Sequence, residues 1–335
     1  MLRLVRILPR APFHLGEATG AMDRVSEVLH SDTLFSGICH CWSMLFGPRD
    51  LESLLESMLS GEPPFRISSG FPFVEYQGDT IYFLPAPRNL QSLLEAEGAG
   101  DHESIALRKK VKGLRFISVK RYLDLLGPDG AGKFFAKNMK ALLGEKEILE
   151  NSVGKGTRIS AALDRRTMSA QPYFVSGLFF GRGSGAYVLL EGSEEGVEKA
   201  LAAMRLLGDT GLGGDRASGY GQFELEEGDP SPFEEIRKIV NGGGWLCMSL
   251  LYPSDADRQD IDRSSVYLVD RKGWVSSPQV TVPFRRKRLF LVGEGSVLAR
   301  ELKGELVDVT PDGWPGHPVY RYGLSFLVPA LIAGA

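Results

Sequence analysis

Leu2, Leu4, Ile7 and Leu8 alternate loosely with Arg3, Arg6 and Arg10, the spacing of a half-buried strand. From Ser31 the period changes. Leu34, Ile38, Trp42 and Leu45 recur at intervals of three and four, which predicts a helix with one apolar face. Gly47-Pro48 ends it, and a second helix is expected over 51–59. Two β-rich runs between 66 and 84 flank Gln77-Gly78-Asp79 and predict a hairpin, stopped by Pro85 and Pro87. Strand, helix, strand, strand is the opening half of a βαββαβ unit. Its closing half comes later, as strands over 174–180 and 186–190, a helix over 194–207 and a last strand over 222–226. Residues 88–172 then read as a long insertion.

Asn241 to Gly244 predicts a flexible junction. It divides the chain into a domain over 1–240, which carries the insertion, and a smaller β-rich domain over 245–335. Strands in the second are expected near 245–252, 265–269, 280–292, 305–309 and 318–327. Two domains suit a length of 335 residues, at roughly 150 residues per domain.

Composition adds one anomaly. Forty of the residues are Gly, about 12% against a usual ~7%. Six of them fall between Gly208 and Gly221, in the stretch Gly-Asp-Thr-Gly-Leu-Gly-Gly-Asp-Arg-Ala-Ser-Gly-Tyr-Gly. Glycine lets a bulky partner approach the backbone closely, and successive N–H groups form anion-binding concavities. No Gly-Lys-Ser/Thr tripeptide is present, and a helix precedes this loop while a strand follows it. That order is the reverse of a dinucleotide fingerprint, so no nucleotide cofactor is expected. The loop also carries Arg216, Ser218 and Tyr220, a mixture matched to a sugar-phosphate backbone; a plain connecting loop is the alternative.

The net charge of −3 hides local contrasts. Arg108 to Arg121 holds seven Lys or Arg and no acid, with Lys109, Lys110, Lys112 and Arg115 as its most basic part. Residues 155–166 carry Lys155, Arg158, Arg165 and Arg166 against Asp164 alone. Six acids lie between Glu224 and Glu235, and these are expected to face solvent or a basic partner.

The sparse cysteines Cys39, Cys41 and Cys247 do not form a secreted disulfide framework, and Cys39-His40-Cys41 lacks the second pair that a zinc site requires. The arginines near the start interrupt any signal-peptide core, and 323–335 is too short for a membrane span. A cytoplasmic protein without metal, cofactor or membrane partner is expected. Its five histidines are scattered. His30 sits beside Ser31, Asp32 and Thr33; Ser31 or Asp32 reads as a helix N-cap, and the helix start is also favourable to a phosphate.

Gly-Leu-Gly-Gly-Asp-Arg-Ala-Ser-Gly-Tyr-Gly-Gln-Phe at 211–223 resembles the glycine-rich loop of the RAMP superfamily of CRISPR-associated proteins. Further stretches narrow the likeness: His30 to Phe35, Phe71-Pro72-Phe73, Tyr82 to Pro87, Arg158-Ile159-Ser160, Asp164-Arg165, Thr167, and Val319 to Gly323. In that order they are similar to the fourth subunits of type III-A (Csm) effector complexes, with the type III-B (Cmr) counterparts as near neighbours. The resemblance implies an α+β fold of two ferredoxin-like, RRM-like domains with a glycine-rich loop and a β-hairpin thumb. It implies a noncatalytic role in antiviral defence, capping the 5′ repeat-derived tag of the guide RNA (crRNA). The implied partners are the large polymerase-type subunit and the backbone RAMP subunit, with target RNA near the thumb.

The RNA-binding residues then expected are Gly211, Gly213, Gly214, Arg216, Ser218, Gly219, Tyr220 and Gly221 in the loop, and His30, Ser31, Asp32 and Thr33 at the helix start. The thumb would contribute Arg158, Leu163, Arg165, Arg166 and Met168, with Leu163 and Met168 as wedges. Related RAMP proteins also include metal-independent endoribonucleases that process the precursor guide; in that alternative His30 is the candidate base.

Overall fold

The alternation at the start produces β1 (Leu2–Pro9), which lies antiparallel between β8 (Ser184–Gly192) and β9 (Phe223–Gly228). The computed structural model describes residues 1–16, 25–96, 109–128, 130–164, 166, 167, 169–239, 243–258, 261, 265–275, 280 and 282–332. The hairpin forms as β3 (Phe71–Tyr76) and β4 (Asp79–Pro85). Its two-residue turn places Gln77 and Gly78 at φ of 53° and 91°, matching the twist of the strands. Short β2 (Phe65–Ile67) pairs with β8, and β5 (Phe116–Ser118) adds outside β4.

The order is β5-β4-β3-β8-β1-β9. The strand between β3 and β1 is therefore β8, from the closing half of the expected unit, and not one that directly follows in the chain. The reason is burial. Ala186 to Leu190 is apolar on both faces and takes the centre, whereas the start of β4 is half-exposed.

One face of this sheet packs on α1 (Ser31–Phe46) and α6 (Glu194–Thr210), through Val5, Ile7, Val188 and Leu190 against Leu34, Ile38, Val197, Leu201 and Met204. Ser193 caps α6 by accepting the Gly196 N–H at 3.1 Å. α2 (Pro48–Leu59) follows α1 directly, with Pro48 in its first turn. The opposite face, through Leu4, Phe71, Phe73, Tyr187 and Leu189, meets the 88–172 segment and the C-terminal strands in one core. That segment contributes α3 (Leu90–Ala96), α4 (Val119–Leu125) and α5 (Gly130–Ser152). It ends in a hairpin of its own, β6 (Val153–Leu163) and β7 (Ala170–Phe180).

α7 (Ser231–Arg237) has no counterpart among the expected elements, and beyond Lys238 the described residues contain no α-helix. β10 (Gly243–Cys247) is central to a three-stranded sheet with β13 (Val297–Leu298) and β16 (Leu327–Leu331). β11 (Leu268–Arg271) pairs with β12 (Leu289–Val292), and β14 (Val307–Asp308) pairs with β15 (Tyr320–Arg321). The strands expected over 280–292, 305–309 and 318–327 shrink to these short ladders. No helix among the described residues is long and apolar enough to cross a membrane.

The first turn of α1 joins the C-terminal segment to the main sheet. Asp32, fully buried, accepts Arg271 Nε and Nη2 at 2.9 Å each, and Arg321 Nη1. Ser31 donates its N–H to Ser69 Oγ at 2.9 Å, and its Oγ accepts the Leu250 N–H at 3.0 Å. Tyr322 lies against Phe35, ring centroids 4.9 Å apart, and its hydroxyl accepts the Ile67 N–H. The stretches 30–35 and 319–323, far apart in sequence, thus meet in one buried cluster.

Burial by itself raises the Asp32 carboxyl; Arg271, Arg321 and His30 outweigh it and hold the group well below the usual carboxylate range. A depressed folded-state value stabilises the protein above the unfolded value, and that contribution is lost as pH falls below about 4. Asp32→Ala leaves the buried Arg321 and the half-buried Arg271 without their carboxylate and is expected to cost about 3–5 kcal/mol. Denaturant unfolding at pH 7 checks this, and the difference between wild type and variant should narrow in acid. A loss below about 1 kcal/mol, the range of an exposed pair, would contradict the assignment.

Candidate nucleic-acid interface

The glycine-rich loop leaves α6 at Gly211 (φ 86°) and turns through a short 3-10 segment, Arg216–Ser218. Several of its glycines serve the chain's own packing. A Cβ at Gly213 would stand 2.5 Å from the His14 carbonyl oxygen, and one at Gly221 would stand 2.1 Å from that of Leu212. Tyr220, expected to meet RNA, is buried; its ring packs at Gly177 of β7 and so ties the loop to the hairpin. Gly211 and Gly221 are buried as well, and Gly214 donates its N–H to His14 O at 2.8 Å. The exposed crest is Asp215 to Gly219, with Arg216 in no ion pair among the described residues.

The expected helix start is placed differently. The N-cap residue is His30, with no side-chain capping bond, so neither Ser31 nor Asp32 caps. Both are buried in the cluster above and are not placed to touch RNA; Thr33 is half-buried. Arg286 lies close to the same carboxylate, and burial together with Arg321 and Arg271 pushes it down to about 10. Three guanidiniums around one carboxylate leave the region net positive.

His30 Nδ1 lies 2.7 Å from Glu294 Oε1, and its Nε2 lies 3.2 Å from Ser26 Oγ. Burial works to raise the Glu294 carboxyl, but His30 and the Ser69 hydroxyl hold it below the usual range. The connectivity is that of a hydrolase triad, yet Ser26 Oγ gives its proton to the Val28 carbonyl at 2.9 Å. The hydroxyl is therefore a turn-forming group and not an activated nucleophile.

Two cavities meet at this histidine. The larger, about 730 Å³, is lined by Arg88, Lys112, Arg115, Tyr267, Arg271 and Glu294 among others. The smaller, about 110 Å³, is lined by His14, Thr33, Gly213 and Gly214. Both are bordered by Val28, His30 and Arg271, so the cavity at the glycine loop adjoins the cavity at the basic wall, and the pair is called the channel. Of the expected basic patch, Lys112 is exposed without an ion pair among the described residues, and Arg115 reaches Glu27 at 2.5 Å. Lys109 and Lys110 are exposed just outside the lining, and Arg108 lies outside the described residues. Arg121 is turned away, held by Glu145 and Asp124.

The hairpin β6–β7 runs eleven residues a side and, among the described residues, pairs with no other strand in a sheet, an arm of about 35 Å at ~3.3 Å per residue. Its base is anchored beside the channel: Leu178 is buried, His14 Nδ1 lies 2.6 Å from Ser176 O, and Lys155 reaches Glu27 at 3.3 Å. Towards the tip Ile159, Leu163 and Phe174 are 67%, 71% and 57% exposed and share one face, with Arg158 on the other. Arg166 is exposed in the tip, and Arg165 and Met168 lie outside the described residues. Sequence reasoning missed Ile159 and Phe174, although the odd-numbered alternation Ile159, Ala161, Leu163 carries the signal.

The six acids between Glu224 and Glu235 are exposed, as expected, and three of them also pair within the chain. Glu224, Glu226 and Glu227 on β9 pair with Arg10 just past β1 and with Arg6 and Arg3 on it, and Glu191 pairs with Arg237. This ladder is separate from the channel.

Residues 240–330 match the family model of the CRISPR Csm4 C-terminal domain. The CRISPR system Cms protein Csm4 of Mycobacterium tuberculosis is 32% identical over 295 residues, covering 87% of this chain and 86% of the relative. Its namesake from Thermococcus onnurineus is 28% identical over 96% of this chain and 94% of the relative. Among solved structures, the Csm3-Csm4 subcomplex of the type III-A CRISPR-Cas interference complex gives a TM-score of 0.67 at 20% identity, over 98% of this chain and 99% of that one. The Csm1-Csm4 cassette in complex with pppApA gives 0.59 at 21%, over 99% of each chain. The structural likeness shows a shared fold of mixed helices and antiparallel sheets.

The loop geometry separates its glycines by cost. Gly219 has φ 84°, and no atom lies within 4 Å of the position a Cβ would take there, so Gly219→Ala carries left-handed backbone strain alone, about 1–2 kcal/mol. Gly221→Ala adds overlap with the Leu212 carbonyl and is expected to destabilise more. Denaturant midpoints of the two variants check the order, and equal midpoints would contradict it.

Proposed function

The chain belongs to the Csm4 family, subunits of type III CRISPR-Cas complexes, and from that premise we propose that it is a noncatalytic guide-RNA-binding subunit that caps the 5′ repeat-derived tag. One observation carries the reading: Gly213 and Gly214 of the glycine loop and the basic wall of Lys112 and Arg115 line adjoining cavities, and the root of the hairpin is tied beside them through Lys155 and Glu27. Lys112 on the lining and Arg216 on the nearby loop crest are cations without an ion pair among the described residues, as strand positioning through phosphates requires.

The RAMP reading of the fold accompanies this. β1, α1, β2–β3, β8, α6 and β9 have ferredoxin-like connectivity, and β10 to β16 stand as a reduced second unit after the 240–244 junction. The arm β6–β7 acts as the thumb, with the apolar face of Ile159, Leu163 and Phe174 as the wedge against base stacking and Arg158 near phosphates. Related structures hold Csm4 chains with Csm3 and with Csm1; we assign this chain the same two neighbours, as backbone and large subunit, in cytoplasmic antiviral defence.

A second reading, a metal-independent endoribonuclease, draws on the contact of His30 with Glu294, which orients an imidazole as in general bases. Incubation with repeat RNA is expected to give no cleavage. A specific product that disappears in His30→Gln would favour the enzyme.

For the leading reading, Arg216→Glu combined with Lys112→Glu should weaken binding of tag-bearing RNA. The slope of log affinity against log salt should become shallower by about 1.4, at ~0.7 per phosphate contact for single strands. Unchanged affinity and slope would contradict the assigned path.

A further inference from the structure

The larger cavity contains a stack that the path described above does not use. The Tyr267 ring lies directly on the backbone of Gly293, where an added Cβ would stand 2.3 Å from its Cζ. The Arg88 guanidinium sits 4.0 Å from the centroid of the same ring. The Arg88 backbone is fixed too, donating its N–H to Gly295 O at 2.9 Å, between buried Pro87 and buried Asn89. Gly293, Tyr267 and Arg88 therefore form an ordered pile whose last member is exposed and lines the cavity.

A guanidinium seated 4.0 Å over a ring centroid has one side covered by the ring and, in exposed Arg88, the rest left open to the cavity. A phosphate clamp presents the edge, as a fork. A face suits a planar, polarisable group, and bases stack on arginine planes as they do on aromatic rings. The cavity, about 730 Å³, falls within the roughly 300–1,000 Å³ of sites that enclose small organic groups. Lys112 on its rim supplies a point charge for a neighbouring phosphate.

We propose that the outer face of Arg88 is a stacking shelf for one splayed-out nucleobase of the bound RNA strand, with Tyr267 and Gly293 holding the shelf in place. The shelf rests on the guide-RNA reading, since it presumes a single strand in the channel. It adds a base-stacking position, made by residues 88, 267 and 293, to contacts that otherwise go to phosphates.

The test pairs Arg88 variants of the full chain with tag-bearing RNAs that carry a single abasic site at each position in turn. In the wild type one abasic position should lower affinity by roughly ten-fold, as loss of one stacked base does. Arg88→Ala should weaken intact RNA to a similar extent and make that same abasic position silent, with the other positions unaffected. Arg88→Lys keeps the charge and loses the plane, so it should behave as Arg88→Ala. Thermal unfolding of both variants guards against misfolding, and Tyr267→Phe should retain the shelf.

Arg88→Lys binding as the wild type would overturn the shelf, because charge alone would then suffice. So would the lack of any abasic position coupled to Arg88, or loss of a partner subunit with RNA affinity unchanged. Failure of the guide reading has a different signature: wild type binding tag-bearing and scrambled RNA equally. In that event the same abasic coupling is read on the scrambled strand.

Discussion

The buried carboxylate of Asp32 is the constraint on which the rest depends. It sits in the first turn of α1 and accepts from Arg271 and Arg321, both supplied by the C-terminal segment. Glu294 returns the relation by reaching from that segment to His30 and Ser69. Two reciprocal contacts of buried carboxylates, removed from water, fix how the C-terminal strands lie on the main sheet. The channel is the space left between them, because Arg88, Lys112 and Arg115 line it from one side and Tyr267 and Arg271 from the other. Breaking such a pair strands a buried charge, so the geometry is held more firmly than a surface salt bridge allows.

Charge is distributed to suit that geometry. The acids of β9 are matched to the arginines of β1, at the far edge of the sheet. Around the channel the balance is reversed, with Lys112 in no ion pair among the described residues and three guanidiniums sharing Asp32, and Arg216 stands exposed on the nearby loop crest. A near-neutral chain thereby presents a positive interior path, and the field that matters to a polyanion is this local one.

Much of this architecture is legible in the sequence wherever one physical signal dominates. The helical period of Leu34, Ile38 and Trp42 and the Gln77-Gly78 turn place α1 and the β3–β4 hairpin correctly. The glycine loop is located by composition, and its excess glycine reads as room for a ligand; the close approaches at Gly213 and Gly221 show that much of that room is taken by His14 and Leu212. Sheet order escapes the pattern because a continuous apolar run such as Ala186 to Leu190 announces burial on both faces without naming its neighbours. Ser31 and Asp32 carry the local signature of a cap, and only contacts more than two hundred residues away in the chain reveal their actual partners. Tyr267 and Arg88 give no periodic or motif signal at all, since their stack exists only once Gly293 is brought beneath it.

Cross-linking of the assembled complex, with a photoreactive group placed along the guide 5′ tag and the attached peptides sequenced, tests the central claim most directly. The channel predicts attachment at Arg216 to Gly219, at the Lys112–Arg115 wall and along the root of the β6–β7 hairpin. Attachment confined to the β9 edge or to α2, with none at those three places, would contradict it.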